Sequence, residues 1–389
     1  MKTIKMSGNL FLLAGLALAA VVFHEYMNYV FWFLVMITVV VFVHEFGHFI
    51  VARWCGVQVD VFSIGFGKEI FGWNDRYKTR WKVCWLPFGG YVKMFGDADP
   101  ANAPDFKKLE ALKEHEKSKS FYFKKLWQKS LIVFAGPAAN YVLAILIMTL
   151  VFAWHGKQEA SNEITLIAKD SPAERAGLQI GDLIVEIDGN TVTTFDDVRR
   201  TIALNVGEPM KIKVDRKGNV MEIIATPEIQ ETKDIFGNAV KMPKLGLGAN
   251  KVKFREMSLI TSFEEATTDS YKLSVAMLKT VGQMITGSRS MDDLGGPVKI
   301  ARYSGQSAQL GETTFLMFIA LISLNLGLVN LFPIPMLDGG HLMYYLIEKI
   351  TGRPVSMKVQ LFGFRLGFAF VIMLMVMVTF NDIRSLLFK

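Results

Sequence analysis

The chain has 389 residues, 51% of them hydrophobic, with 30 Phe, 20 Met, a mean hydropathy of +0.30 and a formal net charge of +7. This is too apolar for a purely soluble enzyme, yet at 20% charged residues too polar for a chain held wholly in lipid. A membrane protein carrying a soluble insert fits. The basic residues gather between Arg53 and Lys129; a nucleic-acid reading would need stacking aromatics interleaved on a soluble face, and nucleic acid is not expected as a partner.

The first apolar segment, 9–23, follows Lys2 and Lys5 and ends in Ala-Leu-Ala-Ala. It is read as an extra, uncleaved N-terminal helix, with a signal peptide as the alternative. The pair His24-Glu25 has Asn28 where a second His would be needed one turn on, and is expected to form an interfacial loop.

The second segment, 28–54, is long enough to cross the hydrocarbon core, which takes about 20 apolar residues. It is interrupted by His44-Glu45-Phe46-Gly47-His48. Charged groups cost several kcal/mol at membrane depth and so require partners or a wet cavity. Two His at i and i+4 share one helix face and can bind one zinc, and Glu45 is placed to act as general base. The alternative, a hydrogen-bonded core histidine, is weakened because an unpaired Glu is a greater liability in lipid than in a soluble core.

By the positive-inside rule the basic stretch 54–130 is cytoplasmic. Segment 28–54 then runs inward and 131–154 outward. The insert 155–314 is extracytoplasmic, 315–336 returns inward, and 361–380 leaves again. Cys55 and Cys84 both fall on the cytoplasmic side without CxxC spacing, so neither a disulfide nor a zinc role is expected.

Within the insert, Ile164–Ala168 alternates as a strand, Ser171–Leu178 starts and stops a short helix, and Asp182–Ile187 is a second strand. Phe195–Ala203 reads as a helix, and Met210–Val214 with Val220–Ala225 as a hairpin. "SPAERAGLQIGDLIVEIDG" resembles a PDZ domain of the bacterial protease type, here 155–252. Such domains take extended segments, often a peptide C-terminus, by strand addition; a cap that filters substrates by size is the alternative. The region 253–314 is read as amphipathic and membrane-surface, with Val275, Leu278, Val281 and Ile285 on one helix within 257–286; packing on the insert or the bundle is the alternative.

A catalytic zinc usually takes three protein ligands. In Asn330-Leu331-Phe332-Pro333-Ile334-Pro335-Met336-Leu337-Asp338-Gly339-Gly340 the two prolines must unwind the fifth apolar segment, and irregular backbone at that depth is tolerated where it lines a cavity. Asp338 is the candidate third ligand. If it merely caps the following helix, His341 is the rival.

HEFGH, "FSIGFG", "PFGGYVKM", "AGPAAN", the PDZ-like insert, "LGGPVKIA" and "NLFPIPMLDGGH" occur in that order. Together they resemble the site-2 protease family of intramembrane zinc metalloproteases, in its bacterial regulator of sigma-E protease branch. The resemblance implies an α-helical polytopic membrane protein with four core transmembrane helices, an inserted α/β PDZ domain and a membrane-reentrant β-loop at Val57–Met94. The core halves are then 28–154 and 315–389, after an N-terminal segment 1–27. It implies Zn2+ on His44, His48 and Asp338, with Glu45 catalytic and Asn330 holding substrate. Pro333, Pro335, Gly65, Gly67, Gly89 and Gly90 are further substrate-contact candidates. It also implies a bacterial inner-membrane location with the active site toward the cytoplasm, and a single-span substrate such as a pre-trimmed anti-sigma factor. Two departures stand out: one PDZ domain where a tandem pair is familiar, and the added segment 9–23. A PDZ scaffold with a structural metal is the rival class; a metal transporter would need a longer polar path than this single cluster.

Overall fold

The computed structural model describes residues 8–96, 112–205, 207–233, 239–249, 252–291 and 294–387. They fall into two units, Met1–Ala144 with Leu294–Lys389, and Ile145–Asp293.

The first unit opens with α1, Gly8–Trp54. The helix runs unbroken through His24 and Glu25, so the expected loop is absent. None of the residues from His24 to Asn28 is Pro or Gly, and a helix in a polar-flanked apolar sequence has no local reason to stop there. After it come β1 (Val59–Asn74), β2 (Arg80–Met94), the short α2 (Glu114–Lys117) and α3 (Leu126–His155). Beyond the insert the unit resumes with α7 (Pro297–Gln309), α8 (Glu312–Asn330), α9 (Asp338–Thr351) and α10 (Met357–Leu387). Among the described residues four helices are long and apolar enough to cross a membrane: Tyr26–Trp54, Leu126–His155, Glu312–Asn330 and Met357–Arg384.

β1 and β2 each bend, so the pair makes a small sheet of four segments. Phe62–Ile64 pair with Gly90–Val92 on one side and with Trp81–Val83 on the other, and Phe71–Asn74 fold back on Arg80–Val83. The sheet is glued to α1 by aromatics: Phe62, fully buried, stacks on Trp81 at 4.4 Å and meets Phe42, Phe46 and Phe49 edge-on. Its far end reaches back along the helix, where Thr38 Oγ1 donates to the Pro87 carbonyl at 3.3 Å and Phe33 meets Phe88. From Trp54 to Thr38 is about 24 Å of helix. Phe66, Ile70, Phe71, Trp85, Leu86 and Phe88 stay exposed.

The second unit holds β3 (Lys157–Ala160), β4 (Leu166–Ile167), α4 (Pro172–Arg175), β5 (Leu183–Ile187), β6 (Asn190–Thr191) and α5 (Phe195–Ala203). It continues with β7 (Met210–Arg216), β8 (Asn219–Ala225), β9 (Glu228–Lys233), β10 (Ala239–Lys244), β11 (Leu247–Gly248), β12 (Val252–Arg255) and α6 (Leu259–Ile285). The main sheet runs β6-β5-β7-β8 over a core of Ile164, Ile184, Ile187, Val198, Ile212, Val214 and Leu245. The β9–β10 hairpin and the β3–β12 pair had no clear signal in the sequence.

The α6 helix inverts the usual pattern. Ser262, Ala266, Asp269, Ser270 and Ser274 are buried, while Ile260, Tyr271, Val275, Leu278 and Ile285 are exposed. Polar ties hold it. Lys157 Nζ reaches Glu265 at 2.6 Å and Asp269 at 2.7 Å, and Lys272 donates to Asp197 at 2.9 Å. Asp197 also closes the capping box of α5 with Thr194. Burial alone would push the Asp197 carboxyl up, but the Lys272 ammonium, the Thr194 hydroxyl and the Thr193 N–H hold it at about 2. A carboxyl with a folded pKa below its unfolded value stabilises the fold above that unfolded value and loses the contribution as pH falls through the folded one. Acidification from about pH 5 to about pH 2 should therefore loosen α5 and α6 by on the order of 1–2 kcal/mol. Hydrogen exchange on the detergent-solubilised full chain checks this, and Asp197→Asn should remove most of the dependence.

Candidate metal centre

His44 and His48 are buried on one face of α1, one turn apart. That face can bury two imidazoles because the opposing helix is stripped of side chains there. A methyl on Gly136 of α3 would lie 2.3 Å from His48 Nε2 and 2.9 Å from His44 Cε1. In return, a methyl on Gly47 of α1 would lie 2.3 Å from the Ala135 carbonyl oxygen. Two glycines thus let the backbones approach, as small residues do between membrane helices.

Residues at four-residue intervals on α3 meet the pair in reverse order. His48 Nδ1 lies 2.8 Å from the Ile132 carbonyl, Gly136 faces both rings, and Asn140 Nδ2 lies 3.3 Å from His44 Nδ1. A carbonyl only accepts, so His48 Nδ1 carries its proton and a neutral ring presents the Nε2 lone pair.

Asp338 completes the cluster. It is the first residue of α9, and Leu337 rather than Asp338 occupies the N-cap position. Its Oδ2 lies 3.1 Å from His44 Nε2 and 3.5 Å from His48 Nε2, and the two Nε2 atoms are 3.2 Å apart. Oδ2 is buried with no well-formed hydrogen bond. Ligand atoms at about 2.0–2.1 Å from a tetrahedral zinc sit roughly 3.3 Å from one another, so the three atoms have the spacing that ion requires. Among the described residues His44, His48 and Asp338 form a group able to hold a metal. His341, the rival ligand, is exposed and lies against Tyr345.

The carboxylate is delivered by an irregular link. Residues 331–337 leave the helix after Asn330, Met336 takes φ 108°, and Ile334 N donates to the Phe332 carbonyl. The link folds over the start of α9 closely enough that a methyl on Gly340 would lie 2.4 Å from the Ile334 carbonyl oxygen. Asn330 ends α8 half-buried, Pro333 is exposed and Pro335 half-buried. Gly367 of α10 packs against Pro335.

Glu45 is half-buried and faces the β1–β2 sheet: a methyl on Gly90 would lie 3.7 Å from Glu45 Cγ. Gly65 and Gly67 in β1 and Gly89 in β2 all have positive φ, where the pairing of the two strands is irregular. Gly90 therefore approaches Glu45, whereas Gly67 lies against Leu86. The residues missed by sequence reasoning are Gly136 and Asn140. Their signal was the spacing of Ile132, Gly136 and Asn140 in an otherwise apolar helix.

The sequence profile described as "Peptidase family M50" matches residues 32–374. A Rhizobium meliloti protein whose name carries the words zinc metalloprotease is 41% identical over 358 residues, covering 91% of this chain and 96% of its own. The metalloprotease MmpA of Caulobacter vibrioides is 32% identical over 374 residues, covering 90% and 94%. Among solved structures, the PDZ domain of an SdrC-like protein from Listeria monocytogenes is 26% identical over 23% of this chain and 88% of its own, with a TM-score of 0.18.

Gly136→Ala should drive the two imidazoles off their present positions and weaken zinc binding at least about tenfold, the scale of losses at metal-supporting positions. Chelator competition on the metal-depleted full chain measures it.

Proposed function

This chain belongs to peptidase family M50 and is a zinc metalloprotease, and we propose that it hydrolyses peptide bonds of single-span membrane proteins within or at the edge of the bilayer. The observation that carries this reading is the convergence of His44, His48 and Asp338 inside a unit whose helices are long and apolar enough to span a membrane.

In this reading His44, His48 and Asp338 hold the zinc. Zinc so bound supplies Lewis acidity toward a scissile carbonyl and lowers the pKa of a water toward about 7. Glu45, one residue along α1 from His44, would accept a proton from the attacking water on its carboxylate and deliver it to the leaving amine. Asn330, Pro333 and Pro335 line the approach from the broken end of α8.

A helical substrate hides its amides in i to i−4 bonds and must unwind to be cut. The β1–β2 sheet supplies compensation. Its Gly90–Met94 segment is an outer one, with a single strand partner among the described residues, and Gly90 adjoins Glu45. An extended segment added there offsets lost hydrogen bonds beside the proposed base. The exposed aromatics of the sheet and its reach back along α1 support its lying at membrane depth, as a reentrant loop. The exposed apolar stripe of α6 supports contact with the membrane surface. The groove between α5 and the segment Lys244–Leu247, about 860 Å3 in volume, is the place where a peptide C-terminus would be taken. By resemblance the substrate is an anti-sigma factor already trimmed outside a bacterial inner membrane, and the site opens toward the cytoplasm.

Glu45→Gln should retain zinc while cleavage of a model transmembrane substrate by the solubilised protein falls at least about a thousandfold, the upper scale of general-base contributions. Appreciable turnover by that variant removes Glu45 from the role. Asp338→Ala should lower zinc affinity by more than tenfold in metal analysis, on the order expected for losing one of three ligands; unchanged stoichiometry would send the search to another ligand.

A further inference from the structure

Asn140 is fully buried, and its Oδ1 has no hydrogen-bond partner. A buried amide oxygen left alone is costly, so the site should contain a donor for it. The Nδ2 end faces His44 Nδ1 at 3.3 Å. With the amide that way round, Nδ2 donates, His44 Nδ1 must accept, and the proton of a neutral ring sits on Nε2. Nε2 would then aim a proton into the cluster where Asp338 and His48 converge, and could offer no lone pair to a cation.

A half-turn of the carboxamide about Cβ–Cγ repairs the oxygen and the ring together, and places the NH2 group where Oδ1 stood. Oδ1 then accepts from His44 Nδ1–H, and His44 Nε2 is left with its lone pair. The two ends of the amide have nearly the same shape, so the packing is unchanged. His48 is already held in the matching form by the Ile132 carbonyl. The backbone of Asn140 is fixed as well, since its carbonyl accepts from Ser323 Oγ of α8 at 2.9 Å.

We propose that Asn140 is a positioning residue for the metal, its side-chain oxygen holding His44 in the Nδ1–H form so that both imidazoles of α1 present Nε2 to the ion. The inference rests on the assignment of His44 as a ligand. It makes α3 the element that sets both tautomers, one through a backbone carbonyl and one through a carboxamide.

The test is zinc affinity of the solubilised full chain by chelator competition, in the parent, Asn140→Leu, Asn140→Asp and His44→Ala. Leu keeps the volume and removes the acceptor, and should weaken zinc about 10- to 100-fold, the range seen when such orienting partners are lost. Asp keeps an acceptor and lacks the N–H, and should bind zinc at least as tightly as the parent. Leu within about threefold of the parent overturns the proposal. So does weak binding by Asp, which would mean that the amide acts through its N–H; this arm stands even where the Leu variant fails to fold. Undiminished binding by His44→Ala would instead overturn the ligand assignment beneath it. Loss in His44→Ala without loss in Asn140→Leu isolates the failure to Asn140.

Discussion

The arrangement depends on one contact, the face-to-face approach of α1 and α3 at Gly47 and Gly136. Two imidazoles occupy a width that a single methyl would close. Lipid offers no hydrophobic drive between helices, so this approach must be repaid by close packing and by satisfied polar groups. The carbonyl of Ile132 and the side chain of Asn140 supply the latter from the same face of α3 that supplies the gap. Recognition of the histidines and tolerance of their burial are therefore one structural fact. A third helix joins at the same level, where Ser323 of α8 donates to the Asn140 backbone and Gly327 lies against Pro137 and Tyr141.

The broken end of α8 follows from the same economy of polar groups. Prolines at 333 and 335 forfeit helical hydrogen bonds, and the freed groups are repaired within the link by short turns and at the start of α9. That repair requires no side chain at Gly339 and Gly340. It leaves Asp338 at the first turn of α9, where the helix dipole favours a carboxylate. The carboxylate is thus stabilised in place by its helix before any ion is considered, and its buried Oδ2 faces the two Nε2 atoms without a well-formed hydrogen bond.

HEFGH and the aspartate after two prolines were legible because each is a local pattern with a narrow chemical meaning at membrane depth. So were α5, bounded by its Thr194–Asp197 capping box, and the β7–β8 hairpin about Lys217-Gly218. The roles of Gly136 and Asn140 were not, because they exist only once α3 is laid antiparallel on α1 in a particular register. The small sheet was legible as a β-loop by resemblance alone; its pairing of Phe62–Ile64 on both sides depends on bends that no alternation in the sequence announces. The helix through His24 and Glu25 was misread for a different reason. Two charged-capable residues between apolar runs look like a membrane boundary, yet a boundary requires a change of solvent and not a break in the helix.

That distinction bears on α1 as a whole. A helix of 47 residues is about 70 Å long, more than twice a hydrocarbon core of about 30 Å. Only part of it can lie in lipid at a steep angle. The portion that qualifies as a span, Tyr26–Trp54, is also the portion that carries the sheet contacts and both histidines. His48 lies six residues before Trp54, about 9 Å along the helix, and Thr38, which meets the far end of the sheet, lies about 15 Å beyond His48. The sheet consequently runs alongside the part of the helix that holds the histidines, and Gly90 lies beside Glu45. The length of the helix limits how much of it can span, and the sheet contacts and both histidines fall within the portion that qualifies.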